Sequence, residues 1–366
     1  MIKKLSIIIP AYNEGSTIHL ILDRIREVIL DGGVCKEIII INDCSTDDTE
    51  GAVLRYMKAN PDMDIRYHRH QVNRGKGSSL HTGISMATGE YTIIQDADLE
   101  YDPQEYNDLL KPVLKGFADV VYGSRFMGGN PHRILFFWHT IGNRLLTTVS
   151  NMFTNLNLTD METCYKLFDT RKLQSLKLKE KRFGFEPEVT GKISRIPGIR
   201  IYEVGISYYG RTYEDGKKIG WKDGIRALYC IFKYNAPYQR ISLQFLIYLI
   251  IGGVSALFNL ALFLLLIKTL TVGISTVIAF YSAAVLNYIL CVNFLFNKNV
   301  RWKGWKEYII YFLSITIIAA IDLGSTKGFI NMGLAPVYSK IFATAIGLAL
   351  NFLIRKYLIF KDNITS

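Results

Sequence analysis

A chain of 366 residues is long enough for one α/β domain of ordinary size plus a second module. Its hydrophobic content of 49% averages two chemistries: charges are interspersed from Met1 to about Arg240, and long apolar runs take over beyond it. The net charge of +11 fits nucleic acid, a membrane surface or phosphorylated substrates, but Lys and Arg cluster beside the apolar runs and no nucleic-acid-binding motif stands out, so a membrane is the expected partner and nucleic acid is not.

In chain order, Leu5–Ile9 is a short apolar run closed by Pro10, which reads as a buried strand and not as a signal peptide. Ile18, Leu22, Ile25 and Ile29 recur at helical spacing behind Ser16, a candidate N-cap. A strand is predicted at Glu37–Ile41, helices at Asp47–Lys58 and Ser78–Ala87, a strand at Tyr91–Ile94, a helix at Pro103–Lys115 and a strand at Asp119–Tyr122. This alternation predicts a mostly parallel, helix-covered sheet, with ligands bound beyond the carboxyl ends of its strands. In Trp221–Tyr234, Trp221, Ile225, Leu228, Tyr229 and Phe232 lie near one helical face and Lys222, Arg226 and Lys233 towards the other, the pattern of a helix lying in a membrane interface or of an ordinary surface helix.

Four apolar stretches follow, at about Ile241–Ile267, Val272–Phe296, Tyr308–Ile330 and Ala335–Ile354. Each approaches or exceeds the ~20 residues that cross a bilayer as a helix. They read as a duplicated hairpin: Asn287–Phe296 resembles Asn351–Phe360, and Tyr248 and Tyr311 repeat at a similar offset. Lys233 and Arg240 precede the first stretch, Lys298, Arg301, Lys303 and Lys306 lie between the second and third, and Arg355, Lys356 and Lys361 end the fourth, so the positive-inside rule places both termini in the cytoplasm. The expected domains are 1–212, an interfacial segment 213–240, and 241–366. The five cysteines show no metal-type spacing and read as free thiols, and the six histidines are scattered non-ligands.

Asp96-Ala97-Asp98 at a strand end is the sharpest chemical signal. Alternate residues of an extended chain point the same way, so both carboxylates can face one cation, Mg²⁺ or Mn²⁺, that also takes a diphosphate. Alone, such a pair is also the pattern of helix-capping acids, and Glu100 is either a third oxygen or an exposed acid.

Pro10-Ala-Tyr-Asn-Glu14, Asn42-Asp-Cys-Ser-Thr-Asp47, Asn73-Arg-Gly-Lys-Gly77, Asp96-Ala-Asp98 and Gly123-Ser-Arg125 follow one another over about Leu5–Arg211. In order and spacing they resemble the family 2 glycosyltransferases of GT-A fold, in particular the dolichyl-phosphate mannose synthase branch, and the remainder resembles the GtrA-like membrane family. The resemblance implies an α/β GT-A (Rossmann-like) nucleotide-sugar domain followed by an all-α transmembrane domain of four helices in two hairpins. It implies inverting transfer of a single hexose from GDP-mannose or UDP-glucose to dolichyl or undecaprenyl phosphate, dependent on Mg²⁺ or Mn²⁺, at the cytoplasmic face of the inner membrane.

By the same resemblance, Pro10, Tyr12, Glu14 and Asp43 would hold base and ribose, Asp96 and Asp98 with Glu100 the metal, and Lys76 the donor. Arg125 would meet the acceptor phosphate, with Ser124 and either Arg133 or Arg144; in Arg211-Thr-Tyr-Glu-Asp-Gly-Lys217-Lys218, a basic loop over the diphosphate, Arg211 would serve the donor and Lys217 the acceptor phosphate. Glu186 and Glu188 would touch sugar hydroxyls or serve structure. The chain departs from the family at Asn42, where a second acid is frequent, and at Glu100, where relatives often carry Gln. No general base is required, because a lipid phosphate oxygen is already ionised near pH 7.

Two other functions compete. A processive polysaccharide synthase would carry a Gln-x-x-Arg-Trp motif, which is missing. A translocator of lipid-linked sugar, loaded by the soluble domain, would use the membrane module and the intramembrane acid Asp322. A homo-oligomer is compatible with the pattern.

Overall fold

The computed structural model describes residues 2–129, 131, 133, 137–210, 220–239, 241–296 and 305–360, in two compact units, Met1–Tyr234 and Asn235–Ser366. The first unit is built on β1 (Lys4–Ala11), β2 (Cys35–Asn42), β3 (Ile65–Arg69), β4 (Tyr91–Ile94), β5 (Val120–Ser124), β6 (Lys166–Asp169) and β7 (Ile201–Gly205), in one sheet of order β3-β2-β1-β4-β6-β5-β7. β6 runs antiparallel to both its neighbours and every other pairing is parallel. Around the sheet lie α1 (Ile18–Glu27), α2 (Thr49–Ala59), α3 (Lys76–Met86), α4 (Tyr106–Leu114), α5 (Phe137–Thr154), α6 (Thr170–Ser175), α7 (Phe185–Ile193) and α8 (Trp221–Asn235). This is the mixed, GT-A-like α/β sheet that the sequence implied.

The central strands read as unbroken apolar runs because both sheet faces are covered. Leu5, Ile7, Ile9, Ile38 and Ile40 enter one core cluster with α1 and α4, while Ile8, Ile39 and Ile41 enter a second with α3 and α7. On α3, a Cβ at Gly83 would overlap the Ile8 side chain, so this glycine sets how closely helix and sheet approach.

Several elements differ from the reading above. β1 runs through Pro10, which keeps register with Ile41; the pairing with β4 has already ended at Ile8 and Ile94, so no ladder donor is needed on that side. Ser16 does not cap α1: Thr17 holds the N-cap position, and its hydroxyl bonds Glu14. The buried face of α1 is Ile18, Ile21, Leu22 and Ile25, and Ile29 lies past the helix end, 86% exposed. Pro103–Glu105 is a separate 3₁₀ turn before α4. β6, α5, α7 and β7 carried no strong periodic signal. α8 packs through Ala227, Cys230, Ile231 and Tyr234, one face round from the stripe expected, and leaves Ile225 60% exposed.

The second unit holds α9 (Ile241–Leu266), α10 (Val272–Leu290), α11 (Trp305–Asn331) and α12 (Pro336–Ile354), matching the four apolar stretches. α9 packs on α10 and α11 on α12. The duplication extends to local geometry: α10 and α12 each continue into a π-helical turn, Cys291–Leu295 and Arg355–Ile359, and the rings of Phe296 and Phe360 stack at 4.1 Å. Leu243–Leu266 and Ile278–Leu295 are long and apolar enough to cross a membrane. Side chains such as Leu257 and Leu265, 70% and 63% exposed, face outward, as they do where lipid replaces water. The side chain of Asp322 and the flanking Lys298, Arg301, Lys303 and Lys361 lie outside the described residues.

Candidate active site

A cavity of ≈ 1110 Å³ opens beyond the carboxyl ends of β1, β2 and β4. Pro10, Tyr12 and Glu14 line it from the turn after β1. Asn13 holds that turn with φ +56°: its backbone N–H donates to Ser45 Oγ and its side-chain oxygen accepts from the Thr46 N–H, at 3.0 and 2.9 Å. The β1 and β2 turns are thereby tied together.

Asn42 and Asp43 divide their work. The Asn42 amide donates to the Tyr67 hydroxyl at 2.9 Å and accepts from the Ser45 N–H at 2.8 Å. The amide thus ties β2 both to Tyr67 of β3 and to the turn that follows β2. Asp43 lines the cavity while its two oxygens accept from the backbone N–H groups of Arg74 (2.9 Å) and Gly75 (2.6 Å) and contact His70 Nδ1 at 2.8 Å. It clamps the loop that precedes α3. At Gly75, φ is +91° and a Cβ would stand 2.6 Å from the Lys181 carbonyl oxygen; at Gly77 a Cβ would overlap the backbone of Glu180. Both glycines are therefore required for the loop to pass beneath residues 180–182.

Lys76, the first residue of α3, places Nζ 2.6 Å from Asp96 Oδ1 and 2.9 Å from Cys164 Sγ. Burial alone would lower its pKa, but Asp96, Cys164 and Glu186 hold the ammonium well above the usual lysine range. Burial, with Asp96 beside it, pushes the Cys164 thiol up, so this cysteine remains a neutral thiol. Asp96, Asp98 and Glu100 all line the cavity beyond β4. The chain turns sharply at Leu99, φ +64°, and Glu100 accepts from the Tyr208 hydroxyl at 2.9 Å. Among the described residues no three His, Cys, Asp or Glu side chains are gathered as a metal-holding group.

Arg125, after β5, forms a bidentate pair with the fully buried Asp160, Nε at 2.7 Å and Nη2 at 2.8 Å. Tyr208 lies 5.2 Å under the guanidinium. Nη1 has no partner among the described residues, and the side chain lines the cavity. Ser124 and Arg133 are not brought to it. Ser124 is fully buried against Thr159 at 2.5 Å, and Arg133 bonds the Gly210 carbonyl at 3.0 Å. Arg144 lies over the Phe126 ring and not in the lining. Arg211 and Lys217 fall outside the described residues. Glu186 lines the cavity; Glu188 instead accepts from the backbone N–H groups of Lys179 and Glu180.

The reading of the sequence overlooked Asp160, Glu162 and Cys164. The polar residues of Asp160-Met-Glu-Thr-Cys164 were a signal, but they stand in no regular element, and only the chain's return beside β5 brings them to the cavity. Burial and the neighbouring Glu186 raise the Glu162 pKa. The opposite wall is apolar, made by Trp138, Leu145 and Leu146 of α5 with Ile225, Ala227 and Leu228 of α8. Among the described lining residues eight acidic side chains (Glu14, Asp43, Asp96, Asp98, Glu100, Glu162, Glu186, Asp223) face three cations (Lys76, Arg125, Arg182). A polyanion entering this space must bring positive charge with it.

Residues 6–176 match the family model Glycosyl transferase family 2, and residues 247–360 match GtrA/DPMS, transmembrane domain. A dolichyl-phosphate beta-glucosyltransferase of Dictyostelium discoideum is 34% identical over 129 residues, 33% of this chain and 39% of that protein. An undecaprenyl-phosphate mannosyltransferase of Micrococcus luteus is 26% identical over 223 residues, 58% of this chain and 86% of that protein. The chain thus spans about two fifths of the first relative's length. Among solved structures, glucosyl-3-phosphoglycerate synthase from Mycobacterium tuberculosis, in complex with Mn²⁺, UDP and phosphoglyceric acid, superposes with a TM-score of 0.48 at 18% identity, covering 63% of this chain and 78% of that one.

Proposed function

We propose, from the match of residues 6–176 to the Glycosyl transferase family 2 model and of residues 247–360 to the GtrA/DPMS transmembrane model, that the chain transfers one hexose from a nucleoside-diphosphate sugar to a polyprenyl phosphate at the cytoplasmic membrane face. The observation that carries the reading is the two-sided cavity: carboxylates at the strand ends on one side, and Arg125 with the apolar wall of α5 and α8 on the other. The first side suits a sugar diphosphate accompanied by a cation. The second suits a phosphate on an apolar chain.

Pro10, Tyr12, Glu14 and Asp43 would bound the base and ribose pocket. The carboxylate surplus and the hard oxygens of Asp96 and Asp98 fit a divalent cation; when bound, Mg²⁺ or Mn²⁺ would neutralise the departing diphosphate. Lys76 supplies a fixed positive charge beside Asp96. Arg125, oriented by Asp160, would offer its remaining edge to the acceptor phosphate. Arg211 would add positive charge for the donor and Lys217 for the acceptor phosphate. An oxygen of the ionised acceptor attacks the anomeric carbon as the bond to the diphosphate oxygen breaks, so the configuration inverts and no base is needed. Positioning and charge stabilisation carry the rate.

The test offers the purified full-length protein a panel of nucleotide sugars, UDP-glucose and GDP-mannose included, with polyprenyl phosphate and Mn²⁺ or Mg²⁺. One lipid-linked sugar is expected, lost with EDTA and with Asp98→Ala. A product formed equally well by Asp98→Ala would refute the metal assignment, and no product from any donor would refute the function.

A further inference from the structure

Two polar atoms on the wall of this cavity have no hydrogen-bond partner among the described residues. Ser79 is fully buried on the first turn and a half of α3, three residues beyond Lys76, and its Oγ is unpartnered. Glu162 sits two residues before Cys164, and its Oε1 is buried and unpartnered as well. Both residues line the cavity. Lys76, three residues before Ser79, touches Asp96 and Cys164, and Cys164, two residues after Glu162, reaches Glu186 at 3.9 Å.

A buried hydroxyl or carboxyl without a partner is unfavourable, and its neighbours here offer no relief. The Ser78 hydroxyl is turned to the Arg74 carbonyl, and Lys166 donates to the Thr163 carbonyl. Packing alone would be better served at both places by an apolar side chain. Such atoms on the wall of a ligand cavity are explained by a ligand that completes them. The ligand must be polar, able both to donate and to accept, and uncharged where it meets a carboxyl amid other acids. Sugar hydroxyls have this chemistry; a phosphate offers mainly acceptor oxygens and would be repelled by Glu186.

We propose that Ser79 Oγ and Glu162 Oε1 form the subsite that receives hydroxyls of the transferred hexose, and that they set which hexose is accepted. The inference rests on the glycosyl-transfer reading above and deepens it. The diphosphate lies outside this subsite, so the two residues discriminate between sugars without contributing to nucleotide affinity. An analogue lacking a hydroxyl leaves a buried group unmet, which is a strong basis for rejection.

The experiment uses the full-length protein in detergent, with UDP-glucose, GDP-mannose and their singly deoxygenated analogues as donors, and UDP and GDP as sugar-free ligands. The isosteric Glu162→Gln and the smaller Ser79→Ala are compared with the wild type, and thermal unfolding checks that each is folded. For one deoxy position the wild type should lose roughly 10- to 100-fold in kcat/KM. The matching variant should show a similar loss on the parent donor, little further loss on that analogue, and unchanged UDP or GDP binding. Variants that discriminate among the analogues as the wild type does overturn the subsite, as does an equal loss of nucleoside diphosphate affinity. A wild type that transfers no sugar from any donor fails at the level of the function itself and is told apart by that.

Discussion

Lys76 and Asp96 hold one another at 2.6 Å in a cavity otherwise rich in acidic side chains, and under the proposed metal assignment the pair would govern how a cation enters. A lysine that already neutralises Asp96 competes with a metal for the same oxygen. Lys76→Met should therefore bind Mn²⁺ several-fold more tightly in the absence of donor, measured by titration calorimetry or by loss of the free-ion resonance, while donor turnover falls by roughly 10-fold or more for want of the fixed charge. Unchanged Mn²⁺ affinity would argue against Asp96 as a ligand. Asp43 shows a related economy of placement: a carboxylate expected at the base pocket also ties down the Arg74–Gly75 loop. Asp43→Ala should then lower stability as well as donor affinity.

At the scale of elements, α3 and α8 are positioned by close, specific contacts. Gly83 lets α3 lie against β1, and Gly83→Ala would drive a methyl group into Ile8; the first unit should lose about 1–3 kcal/mol of stability to overpacking, read by chemical denaturation. α8 is fastened through Glu180, 4% exposed, which accepts from Lys233 at 2.7 Å, from Tyr234 at 2.6 Å and from Arg226. Burial would raise its pKa, but the bonds from Lys233, Tyr234 and Arg226 prevail and bring it to about 2, against 4.5 for an ordinary glutamate. A depressed carboxylate stabilises the fold above its unfolded pKa and loses that contribution as pH falls through the folded one. Glu180→Gln should accordingly lower the unfolding temperature near neutral pH, and the difference from wild type should fade between about pH 4.5 and about pH 2. A difference of the same size at both ends would mean the ion pairs do not fasten α8.

The whole molecule holds an α/β unit and a second one whose helices present apolar side chains outward. Within the second unit, Arg355 is 3% exposed and surrounded by neutral groups: Asn287, Asn351 Oδ1 at 3.2 Å, Cys291 Sγ at 3.3 Å and the Tyr311 hydroxyl at 3.0 Å. It draws together residues from both copies of the duplicated hairpin. Arg355→Ala would strand several buried polar groups at about 1–3 kcal/mol each. The membrane unit should then lose thermal stability in detergent, while nucleotide binding by the separately compact first unit is retained. Loss of both together would show that the units fold as one.

The amino-acid order by itself determined the βα alternation, the placement of Asp43, Asp96 and Asp98 just past strand ends and of Lys76 at a helix start, and the duplicated apolar hairpin, because each depends on short-range periodicity or on composition. Pro10 inside β1, the shifted faces of α1 and α8, and the places of β6 and β7 in the sheet were decided by neighbours far along the chain. So was the partner of each site residue. Arg125 meets Asp160, Lys76 meets Asp96 and Cys164, and Glu162 reaches the same cavity only because β6 inserts antiparallel between β4 and β5. Periodicity records which face a residue occupies, whereas a pairing across dozens of residues exists only once the sheet has closed and burial has made an unmatched charge too costly to leave alone.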